Sequence, residues 1–196
     1  GNGVANSTVY GGIAGDVMAA DAQKMSALHD PDETILDEEL ARAIIPFSAK
    51  PGNVHELRVR LMDAMWDDVG VMRDAAGLKL GIEKIASLKT DMENVGVSAD
   101  NLAFNLSWHD WLSLESLIDT SEVIAKAGLS RENSRGAHFR EDFPDAGSLD
   151  DSYFTIATSG EKGIEVSREA VKFTIVKPGE SLLGADEAET LVEAAQ

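Results

Sequence analysis

No cysteine occurs anywhere in the 196 residues. That absence alone removes disulfides, thiolate zinc sites, cysteine-ligated iron–sulfur clusters and cysteine nucleophiles. Long apolar runs are missing too. None approaches the ~20 residues a membrane helix needs, and the first residues lack a basic-then-apolar signal pattern, so direct membrane insertion is not expected. Positive charge is scarce: 17 Lys and Arg stand against 35 Asp and Glu, a formal net charge of -18. Such a surface repels phosphate backbones, which excludes nucleic acid as a general partner. His29, His55, His109 and His138 form no HxH or HxxxH pair, so no metal site is expected. There is no GxSxG, no P-loop and no GxGxxG set between a strand and a helix. No residue is assigned a catalytic role.

What remains is an ordinary globular composition, 43% apolar and 27% charged, in a chain long enough for one domain with an appended arm. The chain opens on a small-residue segment, residues 8–20, where Gly11, Gly12, Ala14, Gly15, Ala19 and Ala20 are interleaved with larger apolar residues. Small side chains let a helix lie close to another backbone or a flat ligand, and the glycines cost helix stability that packing must restore. Asp30-Pro31-Asp32-Glu33-Thr34 has helix-start chemistry, with about two turns expected before Pro46 stops the helix. Asn53 with Glu56 three residues on reads as an N-cap.

Three periodic segments follow. The first carries Leu57, Leu61, Met62, Met65, Trp66 and Val69, and Asp67-Asp68-Val69-Gly70 interrupts it. The second runs over residues 71–92 and the third over residues 108–129, where Trp108 and Trp111 read as an aromatic cap of the bundle. The expected fold is mainly α: a three-helix up-down, spectrin-repeat-like bundle, with an N-terminal small-residue helix and a small C-terminal antiparallel β-hairpin. Strand composition at residues 153–158, and again from Glu165 through Val176, carries the hairpin, with its turn at residues 159–163. Residues 180–196 hold five acidic side chains and no basic one, and read as a mobile tail.

Residues 131–148 differ in character, rich in charge, glycine and proline. Arg131, Arg135 and Arg140 fall within ten positions of one another in an otherwise acidic chain. Arg135, His138 and Arg140 supply donors, Glu141 and Asp142 supply acceptors, and Gly136 permits a turn. Two readings stand side by side. One is an ion-pair knot that holds the loop to the bundle, and the other is a set of donors facing a second domain or subunit.

The run Asn133-Ser134-Arg135-Gly136-Ala137-His138-Phe139-Arg140-Glu141-Asp142-Phe143-Pro144 resembles the C-terminal signature of the succinate dehydrogenase/fumarate reductase flavoprotein family, to which L-aspartate oxidase also belongs. Leu57-Arg58, Met65-Trp66 and Gly70-Val71-Met72-Arg73 are similar to that family's helix junction. Residues 1–12 are similar to the flavin-capping segment that closes its FAD domain. The likeness covers residues 1–158, with the three motifs in order.

The resemblance implies a C-terminal helical domain of an FAD-dependent enzyme that interconverts an alkane and an alkene dicarboxylate. The family's GxGxxG, its capping domain and its substrate-binding and proton-donating residues are absent from these residues, so the chain is expected to be a fragment without catalysis. By the resemblance, Gly3 and Val4 approach the flavin ring, yet no FAD is expected to stay bound to this chain alone. Arg58, Arg73, Arg135, His138 and Arg140 are the interface candidates. The implied partners are the protein's own FAD-binding and capping domains, with an iron–sulfur subunit expected for respiratory members and not for the oxidase. The implied location is the cytoplasm, at the inner face of the membrane when in a complex.

The domain boundaries that follow are residues 1–20 as the end of an FAD-binding domain, 21–52 as a linker with a short helix, 53–148 as the helical bundle with its arginine loop, 149–178 as the hairpin extension and 179–196 as the tail. The rivals are a fragment of an L-aspartate oxidase-type enzyme and a non-enzymatic acidic helical adaptor. The adaptor calls for a polar surface on residues 8–20, which that segment lacks.

Overall fold

The computed structural model describes residues 2–27, 30–98, 100–160 and 163–180. The expected acidic tail therefore lies almost wholly outside the described residues. The chain divides into two compact units, residues 1–42 and residues 43–196.

The three-helix expectation is corrected: the described residues form five α-helices, together with the C-terminal hairpin. The first unit contains α1 (Asn2–Lys24). Its glycines Gly11, Gly12 and Gly15 have nothing within 4 Å of where a Cβ would lie. The helix α2 (Glu33–Ser48) runs across the boundary between the units, with Thr34 N donating to the Asp32 carboxylate at its start. Pro46 does not stop it. The proline sits inside the last turn, where its missing N–H deletes one helical bond close to an end that is open in any case. The Pro46 carbonyl then accepts from Val97 N at 3.0 Å.

In the second unit, α3 (Val54–Asp67), α4 (Ala75–Glu93) and α5 (Leu106–Ser130) pack on one another. Each begins with the same chemistry. A side-chain oxygen of Asn53, Asp74 or Asn105 accepts the backbone N–H three residues on, at 3.1, 2.7 and 3.0 Å. Each buries one stripe at helical spacing: Leu57, Leu61 and Ala64 on α3; Leu78, Ile85, Leu88 and Met92 on α4; Trp111, Leu114, Ile118 and Ala125 on α5. Burying each large aliphatic side chain contributes about 1.5–3 kcal/mol. Trp111 is a core residue, its indole N–H donating to the Val95 carbonyl at 2.7 Å. Trp108 donates to the Ala43 carbonyl at 2.7 Å and meets the Phe47 ring at 5.3 Å. The segments leading into α3 and α5 are tied together where Gly52 N donates to the Gly96 carbonyl and Gly96 N donates to the Lys50 carbonyl.

Two sheets complete the unit. The strands β1 (Met72–Arg73) and β2 (Phe139–Arg140) pair in parallel, Met72 with Phe139 and Arg73 with Arg140. The antiparallel hairpin is β3 (Tyr153–Gly160) and β4 (Gly163–Ala170), in register from Tyr153↔Ala170 to Gly160↔Gly163. The second strand thus ends at Ala170, short of the expected Val176. Pairing starts at once on either side of the turn, which fixes the strand's length to that of β3. The hairpin is fastened to α5: Lys126 Nζ donates to the Ile164 carbonyl at 3.0 Å, Arg131 to Thr155 Oγ1 at 3.2 Å, and Arg168 to the Ser130 carbonyl. The Arg131 and Arg168 guanidinium carbons stand 4.9 and 4.7 Å from the Tyr153 ring centre. Among the described residues no helix is long and apolar enough to cross a membrane.

Candidate functional site

The loop after α5 folds back over the ends of the helices and gathers four of the five interface candidates from the sequence. Gly136, at φ 59°, makes the reversal that places Arg135 and His138 opposite each other, joined by backbone bonds of 2.9 and 3.0 Å. Ser134 Oγ, a residue the sequence reading did not single out, accepts from Arg140 N at 2.9 Å and donates to the Phe143 carbonyl at 2.8 Å. It locks the loop from within.

Arg140 is the centre, only 1% exposed. Its Nη1 donates to the carbonyls of Gly128, Leu129 and Arg131 at 2.9, 3.1 and 3.3 Å. These include carbonyls that the last turn of α5 leaves without a helical partner, so the cation sits at the negative end of the helix dipole. Nε and Nη2 grip the two oxygens of Asp142 at 2.7 Å each. Asp142 in turn accepts from Ala75 N at 3.0 Å, at the positive start of α4. The Arg140 guanidinium carbon lies 5.0 Å from the Phe143 ring centre. The two-pronged contact with Arg140 drives the Asp142 carboxyl from 3.8 down to about 2.

Around this centre, Arg73 Nε donates to the carbonyls of Val69 and Gly70 at 2.9 and 2.7 Å, and its Nη1 lies 2.9 Å from His138 Nδ1. Burial lowers the Arg73 pKa. Arg135 donates to the Ala146 carbonyl at 2.6 Å, to Ser152 Oγ at 2.9 Å and to the Ser148 carbonyl at 2.5 Å. These contacts tie the loop to the bundle, and each named arginine is engaged inside the chain.

Arg58 stands apart. On α3, its Nη2 is 3.6 Å from Asp110 Oδ1 of α5, beside a cavity of about 250 Å³ that His55, Ser98 and Ser107 also line. Gly3 and Val4 lie in the first turn of α1, in the first unit. Val4 is 81% exposed, and open space faces the missing Cβ of Gly3. Among the described residues no group of three His, Cys, Asp or Glu side chains is placed to hold a metal ion.

Sequence reasoning did not single out the outward face of α3. Val59, Met62 and Trp66 follow one another at i, i+3 and i+7 and are all exposed, Trp66 by 80%. The face buried in the core uses other positions on the same helix. Periodicity alone cannot separate the two, because both stripes are apolar.

Comparison with known proteins places this architecture. Residues 58–182 match the family described as fumarate reductase flavoprotein C-term. The chain is 32% identical over 147 residues to a component of the CoM/CoB fumarate reductase of Methanothermobacter marburgensis, covering 74% of this chain and 26% of that protein. It is 27% identical over 188 residues to the fumarate reductase flavoprotein subunit of Haemophilus influenzae, covering 94% of this chain and 31% of that one. The chain therefore spans between a quarter and a third of the length of these relatives. Its fold is that of a part of Mycobacterium smegmatis Sdh1 in complex with UQ1, at a TM-score of 0.70 and 24% identity over 89% of this chain and 29% of the other. With the match running through the helical bundle, the arginine knot and the hairpin, the chain belongs to the C-terminal domain family of fumarate reductase and succinate dehydrogenase flavoproteins.

Proposed function

We propose that this chain is the C-terminal packing domain of an FAD-dependent flavoprotein that interconverts succinate and fumarate, and that alone it catalyses nothing. The observation that carries this reading is the family match over residues 58–182 in a chain about a quarter to a third as long as its relatives. In the whole protein FAD would take up or release a hydride. This chain's part is to brace the flavin-bearing portion, with Gly3 and Val4 near the ring.

Its own chemistry supports a bracing role. The arginine knot fixes the ends of α4 and α5 relative to each other. The exposed Val59, Met62 and Trp66 offer an apolar face of the kind that a neighbouring domain covers. In this reading Arg58 contacts the neighbour from the rim of that face, while Arg73, Arg135, His138 and Arg140 hold the surface in shape behind it. Residues 1–20 would complete an FAD-binding domain, residues 21–52 link it to the bundle of residues 53–148, and residues 149–178 form the extension. An iron–sulfur subunit is the further partner, and the assembly works at the inner face of the cytoplasmic membrane.

The test compares this chain with the whole reading frame that contains it. The whole protein should carry flavin absorbance near 450 nm and reduce fumarate with a reduced dye, whereas the chain alone should do neither. Stoichiometric flavin together with fumarate reduction by the chain alone would contradict the reading.

A further inference from the structure

His138 occupies the middle of the arginine knot, and both its ring nitrogens are committed. Nδ1 lies 2.9 Å from Arg73 Nη1, and Nε2 lies 3.3 Å from the Arg131 carbonyl. A guanidinium can only donate and a carbonyl can only accept. The two contacts are satisfied together by one state of the ring: neutral, with its proton on Nε2.

That state has a structural consequence. Arg73, whose side chain the imidazole holds, is a residue of the β1–β2 pair, and its carbonyl accepts from Glu141 N at 2.7 Å. Its Nε ties the same side chain to Val69 and Gly70, just beyond the end of α3. The imidazole thus joins the α3–α4 junction to the loop that returns from α5.

The groups around the ring make a proton unwelcome. The charges that act on it are Arg73 from β1, Arg131 from the end of α5 and Arg140 from β2. The carboxylate of the cluster, Asp142, is gripped by Arg140. From α4, the apolar Leu78 reaches the same spot over Gly128 that the imidazole approaches. Burial lowers the His138 pKa first, and the three cations lower it further against the opposing bond from the Arg131 carbonyl.

We propose that neutral His138 is an acid-sensitive latch that keeps Arg73, and with it the β1–β2 pair, closed, and that protonation at Nδ1 opens it. A proton there points at the Arg73 donor and adds a fourth cation to three arginines. The folded-state value lies below the free value of 6.5, so the latch is fully closed above 6.5 and opens as pH falls through the lowered value. The latch is a property of this chain and does not depend on the flavoprotein reading.

Nitrogen-detected NMR on the wild-type chain reads the tautomer, and amide exchange reads the latch. At neutral pH the proton should be on Nε2. Between 6.5 and the lowered value, the protection factor of the Glu141 amide should fall by up to about tenfold per unit of pH, and level off below it, while those of Leu88 and Leu114 hold. His138→Gln keeps an acceptor for Arg73 and a donor for Arg131 without a titrating group, so its Glu141 amide should stay protected at the same acid pH. A proton on Nδ1 in the wild type, or Glu141 protection that does not change through the titration, overturns the latch. So does equal acid loss of protection in His138→Gln. The wild-type measurements decide the matter even if the variant does not fold.

Discussion

Arg140 and Asp142, two residues apart, face each other through two bonds of 2.7 Å, and between them they join the end of one helix to the start of another. The cation is spent on carbonyls at the close of α5 and the anion on the first amide of α4. Each charge sits at the helix end whose dipole favours it.

Arg140→Met should therefore be severe. It strips a donor from three carbonyls at the end of α5 and leaves Asp142 without its partner, at a cost of about 1–3 kcal/mol. Arg140→Lys should recover only part, because an ammonium cannot make the two-pronged contact while also reaching three carbonyls. Urea unfolding of the three proteins, followed by circular dichroism, gives the order.

Asp142 predicts an acid limb. Its carboxyl is lowered from 3.8 to about 2, so the unfolded chain binds its proton first. The stability it contributes is complete above 3.8 and is lost as pH falls toward 2. In Asp142→Asn, unfolding midpoints measured between pH 5 and pH 2 should decline less steeply than in the wild type. Parallel curves would remove Asp142 from the account.

Two glycines should respond oppositely to a methyl group. At Gly96 a Cβ would fall 2.3 Å from the Ala49 carbonyl oxygen and 2.5 Å from that of Pro46, both backbone atoms, so Gly96→Ala must displace the tie between the two linkers and destabilise the chain. At Gly128 the nearest atom is Leu78 Cδ2 at an ordinary 3.5 Å, and Gly128→Ala should stabilise α5 by about 0.5–1 kcal/mol through lower backbone entropy in the unfolded state. Thermal unfolding of the two variants checks both signs.

Trp66, 80% exposed, should matter to docking and not to this chain's folding. Trp66→Ser should change the chain's stability by less than about 0.5 kcal/mol in urea unfolding. In the whole protein the same change should loosen the domain, seen as faster proteolytic release of this fragment.

Much of the second unit was legible because its signals are local. Asn53 and Glu56 mark a cap three residues apart, and the stripes of α4 and α5 repeat over several turns. Pro46 misled, since sequence does not say how near a proline lies to a helix end that tertiary contacts will fix. The two-residue β1–β2 pair is too short to leave a periodic trace. The arginines were visible as a cluster, but whether they faced inward depended on backbone carbonyls at the end of α5, whose free lone pairs no pattern of side chains reveals. Likewise, Trp66 and Trp111 look alike in sequence. Trp111 is in the core and Trp66 is exposed because of where the neighbouring helices fall.

The most direct measurement on the central claim is to read the coding sequence that precedes the Gly1 codon. An open frame that encodes a GxGxxG between a strand and a helix, well upstream of Gly1, is the expected result. A stop codon or an initiator methionine codon immediately before Gly1 would contradict it and leave an acidic helical protein whose partner must be sought elsewhere.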